Sequence, residues 1–330
     1  MVIHQIDDNI KGTSIDYRPD IKVLDCTVRD GSLINDAKFE MSFVHAVYHA
    51  CAAAGVDYME IGYKTDRKIA QGKEFGPWKY CSEDDMRKAI GEKNPNLKIS
   101  VMADTGRTDY HTDILPRDQS IVDMVRVACY VHQIPAAIDM VKDAHDKGYE
   151  TSLNLMAIST AQDREITEAL EAMVKSPTDV IYLVDSYGSL YFQPIRDLAL
   201  TYLKAVEGTG KQIGIHAHNN MQLAFANTIE SLALGVSFAD ATINGIGRGP
   251  GNCPLEILLS FLKNPKFKVR SILECIQNEV EPLRGKMQWG WQIPYLITGM
   301  NNEHPRTAIE FVESTGPKNL VDFYDKMIDN

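Results

Sequence analysis

The chain has few of the features that mark several large classes of protein. Its six cysteines include no CxxC pair, so we expect free thiols rather than a disulfide framework. No apolar run approaches the roughly 18 residues that cross a membrane, and the amino-terminal MVIHQIDDNIKG is too acidic for a secretory signal. Basic clusters are also missing and the formal net charge is -11, which disfavours nucleic acid and anionic membranes as partners. We expect a soluble, cytoplasmic protein.

What the sequence does contain is a regular alternation of two kinds of segment. Short apolar, β-branched runs indicate strands, and the amphipathic stretches between them, such as 41–55, 134–148 and 221–235, indicate helices. The predicted strands are 21–27, 56–63, 97–103, 124–130, 149–157, 180–186, 211–218 and 238–245.

Eight strand–helix units in a chain of 330 residues favour a closed (β/α)8 barrel. An open doubly wound sheet is the alternative, but its GxGxxG fingerprint is absent after the first strand, where CTVRDGS stands. We therefore predict an α/β TIM barrel over 21–265, followed by a C-terminal helical extension over 266–330.

Three of the predicted strands end in polar residues that could bind a ligand or take part in catalysis. In a barrel of this kind, the functional residues lie at the strand ends. Strand 1 ends in DCTVRDGS. There Asp30 could give an oxygen ligand to a divalent cation, Arg29 could bind a carbonyl or carboxylate, and Gly31 would allow a tight turn. A salt bridge within the loop is the competing interpretation.

Strand 7 ends in GIHAHNN. Residues two apart on a strand point to the same side, about 7 Å apart at the backbone, so the imidazoles of His216 and His218 can converge on one metal ion or share one patch of solvent. With Asp30 on the same face of the barrel, two nitrogens and one carboxylate would make a three-point metal site.

Strand 8 ends in INGIGRGPGN, whose glycines allow a backbone to approach a ligand closely or simply to turn. Asn252 at the end of this loop could add a side-chain oxygen to the metal site. It could equally be the N-cap of the helix that PLEILLSFL predicts, and the sequence favours neither role.

Taken together and in this order, DCTVRDGS, GIHAHNN and INGIGRGPGNCPLE resemble the motif set of the DRE-TIM metallolyases, the HMG-CoA lyase-like superfamily. The resemblance spans about residues 21 to 262. TVRDGS, YLVDSYGS (182–189) and HAHNN followed by ANTI (226–229) are most similar to the 4-hydroxy-2-oxovalerate aldolase branch.

The resemblance implies a divalent-metal-dependent carbon–carbon lyase or aldolase that acts on a small 2-keto acid through a pyruvate-type enolate. It implies Asp30, His216 and His218 as metal ligands, and Asn252 as a further ligand or a neighbour of the metal. Arg29 becomes the catalytic cation beside the enolate oxygen. We expect Mn2+ as the cofactor, with Mg2+, Co2+ or Zn2+ as alternatives.

One position departs from the aldolase branch. There the motif reads RDGSH, and its histidine is the base that deprotonates the 4-hydroxyl; here it reads RDGSL, and Leu33 cannot move a proton. Tyr295 in the C-terminal segment is our catalytic candidate for this role, and the strand-end residues Tyr63, His132 and Tyr187 are alternatives.

Four further polar residues near strand ends are predicted to bind substrate or to support the groups that do. Arg126 could hold a substrate carboxylate, and Glu60 could orient Arg29. Asn154 and Ser186 could line the pocket. Packing or a local ion pair is the competing role for each of the four.

Two other functions stay open. A Claisen-type synthase that joins an acyl-CoA to a keto acid, as isopropylmalate synthase does, would use the same residues, although its C-terminal extension is usually longer. A catalytically altered barrel that serves as a binding subunit is the other, because the expected base position is Leu33. By analogy we expect a homo-oligomer, with a dehydrogenase as a further candidate partner.

Overall fold

The computed structural model describes residues 18–69 and 73–328, so the amino-terminal segment for which we expect no secretory signal lies outside the described residues. Within these ranges, eight parallel strands close into a barrel in sequence order, with β1 paired to both β2 and β8. The strands are β1 (Lys22–Asp25), β2 (Tyr58–Tyr63), β3 (Lys98–Asp104), β4 (Met124–Cys129), β5 (Glu150–Leu155), β6 (Val180–Asp185), β7 (Gln212–Ala217) and β8 (Phe238–Ala241). The predicted TIM barrel is confirmed, and closure excludes the open sheet.

Helices surround the barrel and continue after it. The helices are α1 (Thr27–Gly31), α2 (Met41–Ala54), α3 (Glu83–Ile90), α4 (Tyr110–Asp113), α5 (Ile134–Asp146), α6 (Asp163–Lys175), α7 (Phe192–Val206), α8 (Ala224–Leu234), α9 (Leu255–Phe261), α10 (Val269–Cys275), α11 (Ile293–Met300), α12 (Arg306–Glu313) and α13 (Leu320–Ile328). In the described ranges no helix is both long and apolar enough to cross a membrane.

Several strands stop earlier than predicted at their carboxyl ends. β8 ends at Ala241 instead of residue 245, because Ile243–Gly245 forms a short 3-10 turn in which Asn244 has a φ of 54°. β1 likewise ends at Asp25, because α1 begins at Thr27, whose hydroxyl accepts a hydrogen bond from the backbone of Ile243. β4 to β7 also end before the predicted boundaries, and the residues left beyond their ends include Tyr130, Met156, Ser186 and His218, which line the cavity described below.

The interior of the barrel is filled in layers, because alternate residues of each strand point inward. The first residues of β2, β4, β6 and β8 form a buried apolar layer at the amino ends of the strands; they are Tyr58, Met124, Val180 and Phe238. Two positions further along the same strands stand Glu60, Arg126, Tyr182 and Asp240, all fully buried. The barrel therefore has a closed apolar floor with a charged layer above it.

Gly214 on β7 makes room for the ring of Tyr182 in that upper layer. A Cβ at position 214 would lie 2.5 Å from the nearest ring atom. The ring also contacts Arg126, whose guanidinium carbon lies 4.3 Å from the ring centroid. Tyr182 consequently has little freedom to move aside.

The first part of the C-terminal segment packs against helix α2 of the barrel. The residue before α10 donates a backbone hydrogen bond from Lys268 to the carbonyl of Ala54, and Ser271 donates one from its hydroxyl to Ala50. Further along, Tyr295, Ala308 and Val312 form a small apolar cluster of their own. The boundary at 265/266 stays a prediction.

We predict that Gly214→Ala lowers the free energy of unfolding by about 1–3 kcal/mol, the usual cost of overpacking a core. Urea unfolding followed by circular dichroism measures the change. Gly285→Ala is the matched control, because a Cβ there meets no atom within 4 Å. Equal stability of the two variants would contradict the packing described for Tyr182.

Candidate active site

A cavity of about 250 Å³ opens at the carboxyl ends of the strands. Its lining in the described part of the chain includes three guanidinium groups, from Arg29, Arg107 and Arg248, and two carboxylates, from Asp30 and Asp104. The lining is therefore cationic on balance. It also includes apolar side chains, those of Leu33, Met102, Ala128, Met156 and Val184.

Arg29 and Asp30 enter this cavity from α1, a short helix, and not from the loop that we expected. The role predicted for Gly31 is also wrong, because its φ is not positive. Gly31 is needed for close contact, since a Cβ would lie 2.8 Å from both Ile246 and the ring of Phe39. That contact places α1 directly against the strand-8 loop.

Three of the predicted metal ligands come together. Ligand atoms of Asp30, His216 and His218 all lie within 4.8 Å of one another, and all three residues are buried. The Oδ2 atom of Asp30 is 3.5 Å from Nε2 of His216 and 4.0 Å from Nε2 of His218. The alternative in which Arg29 and Asp30 form a salt bridge is also observed, at 2.7 Å, so the two interpretations coexist.

A closed chain of ion pairs supports this triad, and we call it the charge ring. Around the ring, Asp30 binds Arg29 at 2.7 Å, Arg29 binds Glu60 at 2.6 Å, and Glu60 binds Arg126 at 2.9 Å. Arg126 binds Asp240 at 2.6 Å, and Asp240 accepts from Nδ1 of His216 at 2.9 Å, which returns to Asp30. Every member is almost completely buried, so neighbouring charges replace water as partners.

The ring sets the protonation of the triad. Burial disfavours the charge on Asp30, but Arg29 and His218 hold the pKa of its carboxyl well below the usual range. Burial lowers the pKa of His218 well below its ordinary value, so this imidazole is neutral and free to act as a ligand. For His216, burial is outweighed by the hydrogen bond to Asp240 and by the nearby carboxylate of Asp30, which raise its pKa.

The residues present fit a divalent metal ion. His216 donates its Nδ1 hydrogen to Asp240, so its Nε2 is left as the coordinating atom, the pattern typical of metal-binding histidines. Within the described ranges that Nε2 is buried without a hydrogen-bond partner, and so is Oδ1 of Asn252. An N, N, O donor set with an additional amide oxygen suits Mn2+, Co2+, Zn2+ or Mg2+.

Asn252 is not the N-cap of the following helix, because α9 begins at Leu255 with Pro254 at the cap position. Its amide lies beside Asp30 instead. A Cβ added to Gly247 would be 2.1 Å from Nδ2 of Asn252 and 2.7 Å from Oδ1 of Asp30. The glycine thus allows the loop backbone to pass directly over these two side chains.

Two of the predicted substrate-binding residues do not line the cavity. Arg126 and Glu60 are fully buried beneath it, and both belong to the charge ring. Arg126 is therefore placed to fix its carboxylate neighbours and not to hold a substrate carboxylate. Glu60 accepts a hydrogen bond from Nε of Arg29 at 2.6 Å, the contact through which it would orient Arg29.

The other predicted residues divide between the cavity and its surroundings. Asn154 and Ser186 line the cavity, and so does Tyr63. Tyr295 does not: it is 4% exposed and packs within the C-terminal apolar cluster, which raises its pKa to about 12 by burial. The two remaining base candidates, His132 and Tyr187, also lie outside the lining.

The sequence interpretation missed several lining residues, among them Asp104, Arg107 and Arg248. Arg248 stands within the glycine-rich motif after strand 8, and a single charged residue among glycines was the available signal. Asp104 is the last residue of β3 and Arg107 follows it, at a strand end that has no recognisable motif. Leu33 lines the cavity with 43% of its surface exposed.

Curated relatives match most of this chain. An oxaloacetate decarboxylase from Mycobacterium tuberculosis is 29% identical over 300 residues, which cover 87% of this chain and 86% of the relative. A 4-hydroxy-2-oxovalerate aldolase from Pelotomaculum thermopropionicum is 28% identical over 270 residues, covering 82% and 78%.

Solved structures share the fold. The N-terminal domain of a candidate aldolase from Bacteroides vulgatus superimposes with a TM-score of 0.76 at 27% identity, covering 89% of this chain and 97% of that one. A hydroxymethylglutaryl-CoA lyase from Pseudomonas aeruginosa gives 0.67 at 16% identity, covering 83% and 95%. The HMGL-like family model matches residues 20–278. This chain therefore belongs to the HMGL-like family of metal-dependent carbon–carbon lyases and aldolases.

Proposed function

We propose that this protein is a divalent-metal-dependent lyase that cleaves a carbon–carbon bond in a small 2-keto acid through a pyruvate-type enolate. The observation that carries the proposal is the convergence of Asp30, His216 and His218 at the cavity, with Arg29 beside them. A divalent cation bound there would supply Lewis-acid stabilisation of the keto oxygen.

The chain's own residues provide the rest of the electrostatic arrangement. Two nitrogens of Arg29 are held by Asp30 and Glu60, which fixes the plane of its guanidinium at the cavity. A cation held in advance stabilises the negative charge that develops on the enolate oxygen, without reorganisation during the reaction. Asn154 and Ser186 are placed to contact the bound keto acid from the strand-5 and strand-6 side.

The identity of Leu33 bears on which bond is broken. Cleavage of a 4-hydroxy-2-keto acid requires a base for the hydroxyl proton, whereas decarboxylation of a 3-carboxylated keto acid requires none. In the latter, the electron pair of the C3–carboxylate bond passes into the enolate, CO2 leaves, and C3 takes a proton from water. We infer decarboxylation, which the oxaloacetate decarboxylase among the relatives also supports.

Aldol-type cleavage is the second candidate, and Asp104 is the observation that favours it. This carboxylate lines the cavity, and burial raises its pKa, as is typical of a general base.

The two remaining alternatives predict different outcomes. A synthase would release thiol from acetyl-CoA, and a binding subunit would show no turnover. A homo-oligomer, a dehydrogenase partner and Mn2+ as the native metal stay predictions.

We predict that the purified protein binds Mn2+ at about one ion per chain and that His218→Ala weakens binding at least about 10-fold, because one of the three principal ligands is lost. Isothermal titration calorimetry measures both. His111→Ala is the matched control, since the side chain of His111 is 68% exposed and remote from the triad. A wild-type protein that binds none of Mn2+, Mg2+, Co2+ and Zn2+ contradicts the proposal.

We predict that Asp240→Asn weakens Mn2+ affinity about 10- to 100-fold although residue 240 is not a ligand, because the carboxylate orients His216. The same titration provides the measurement, and circular dichroism verifies folding. Asp139→Asn, with a side chain 66% exposed, is the control. An Asp240→Asn variant that is folded and binds Mn2+ like the wild type would disprove the supporting role of the ring.

We predict that the Mn2+-loaded protein converts oxaloacetate to pyruvate and CO2 faster than it cleaves 4-hydroxy-2-oxovalerate. Leu33→His should raise the second activity by about 100-fold, the lower end of what a positioned general base contributes. Coupled assays of pyruvate formation measure both rates.

Leu33→Asn is the control for this substitution, because asparagine matches leucine in shape but is not a base. An increase of aldol cleavage in both variants would assign the effect to polarity and not to proton transfer. If the wild type already cleaves the hydroxy acid faster than oxaloacetate, the decarboxylase proposal is wrong and Asp104→Asn becomes the informative variant.

A further inference from the structure

Arg248 lines the cavity and forms hydrogen bonds to two other segments of the chain. Its backbone N–H donates to Oδ1 of Asp30 at 2.9 Å, so the residue is tied directly to a metal-ligand candidate. Its Nη2 donates to the carbonyl of Ser186 at 2.6 Å, which carries the side chain from the strand-8 loop to the end of β6. Arg248 is therefore held at both ends beside the triad.

The guanidinium of Arg248 has donor capacity to spare. Arg29 and Arg126 each bind two carboxylates, but among the described residues no carboxylate forms an ion pair with Arg248. Its Nε is buried and has no hydrogen-bond partner within the same residues. A buried donor of this kind costs free energy unless a ligand satisfies it, and a guanidinium fits the two oxygens of a carboxylate.

The chemistry decides which carboxylate would belong there. A carboxylate that leaves as CO2 loses its charge in the transition state, so a cation bound to it would stabilise the substrate more than the transition state and slow the reaction. A carboxylate that the product retains keeps its charge throughout. A fixed guanidinium beside it contributes to binding without opposing cleavage.

We propose that Arg248 is the carboxylate anchor of this site: it binds the carboxylate attached to the keto carbon and selects 2-keto acids over ketones and keto acids that lack this group. The inference rests on the proposed function for its substrate class. The apolar side chains of the lining, among them Leu33 and Met102, offer no charged partner to the departing group.

Binding of pyruvate tests the anchor without any turnover. In calorimetry on the Mn2+-loaded protein, we expect pyruvate to bind about 10- to 100-fold more tightly than its neutral amide, pyruvamide, as a charged hydrogen bond provides. Arg248→Met should remove that preference, and Arg248→Lys should retain part of it because the charge remains. Arg196→Met, at a partly exposed surface ion pair, is the control and should keep the wild-type preference.

Mn2+ stoichiometry and circular dichroism of each variant show whether it is folded and loaded. Arg248→Met that is folded and loaded but still prefers pyruvate over pyruvamide overturns the proposal. If Arg248→Met does not fold, an Arg248→Lys variant with an unchanged preference and unchanged pyruvate affinity overturns it equally.

Turnover separates the two carboxylates. Oxaloacetate has both a retained and a departing carboxylate, whereas acetoacetate has the departing one alone. Arg248→Met should lower kcat/KM for oxaloacetate at least about 10-fold and leave acetoacetate little changed. An equal loss on both substrates would place Arg248 at the departing carboxylate and refute the inference.

The failures of the two proposals are distinguishable. Pyruvate binding that depends on Arg248, without decarboxylation of oxaloacetate by the wild type, would support the anchor and reject the decarboxylase. If the wild type decarboxylates oxaloacetate but Arg248→Met leaves the ratio of kcat/KM for oxaloacetate to that for acetoacetate unchanged, the decarboxylase is supported and the anchor is rejected.

Discussion

The charge ring is the constraint on which the site depends. Five charged side chains and one imidazole are buried together, and each would be strongly unfavourable alone, because removing a charge from water costs several kcal/mol. Positive and negative side chains alternate around the charge ring, so each member lies beside opposite charge, and this attraction offsets the cost of burial. The ring also connects the interior of the barrel to the cavity. Glu60, Arg126 and Asp240 belong to an interior layer, while Arg29, Asp30 and His216 face the cavity. The stability of the barrel and the orientation of the metal ligands therefore share the same contacts.

Much of the fold and the ligand triad could be predicted from the sequence, because both follow from local patterns. Alternating strands and helices imply a barrel, and a barrel places residues such as His216 and Asp30 at one rim. The depth of a residue within the barrel is a different matter. Arg126 is the third residue of β4 and lies beneath the cavity, whereas Ser186 follows the end of β6 and lines it, so the bounds of each strand, which the sequence predicts only approximately, decide the depth. Arg248 was missed for a related reason: its partners lie 218 and 62 residues away.

The cavity lining combines two kinds of side chain. The guanidinium groups and the triad of Asp30, His216 and His218 are suited to groups that stay anionic, whereas Leu33, Met102 and Met156 offer apolar surface. Leu33 adds apolar surface at the position where the aldolase motif has its histidine base. The decarboxylation that we propose needs no base there.

The packed interior of the barrel bears on how ligands enter and leave the cavity. Among the described residues, Tyr58, Met124, Val180 and Phe238 fill the interior at the amino ends of the strands, and the buried ion-paired layer lies above them. The described cavity opens at the carboxyl ends of the strands, so we expect ligands to enter and leave there. If Arg248 anchors the retained carboxylate as we propose, the anionic product dissociates only when its contacts with Arg248 break, whereas a neutral fragment is not held by them. The dwell time of the anion would then be set at Arg248.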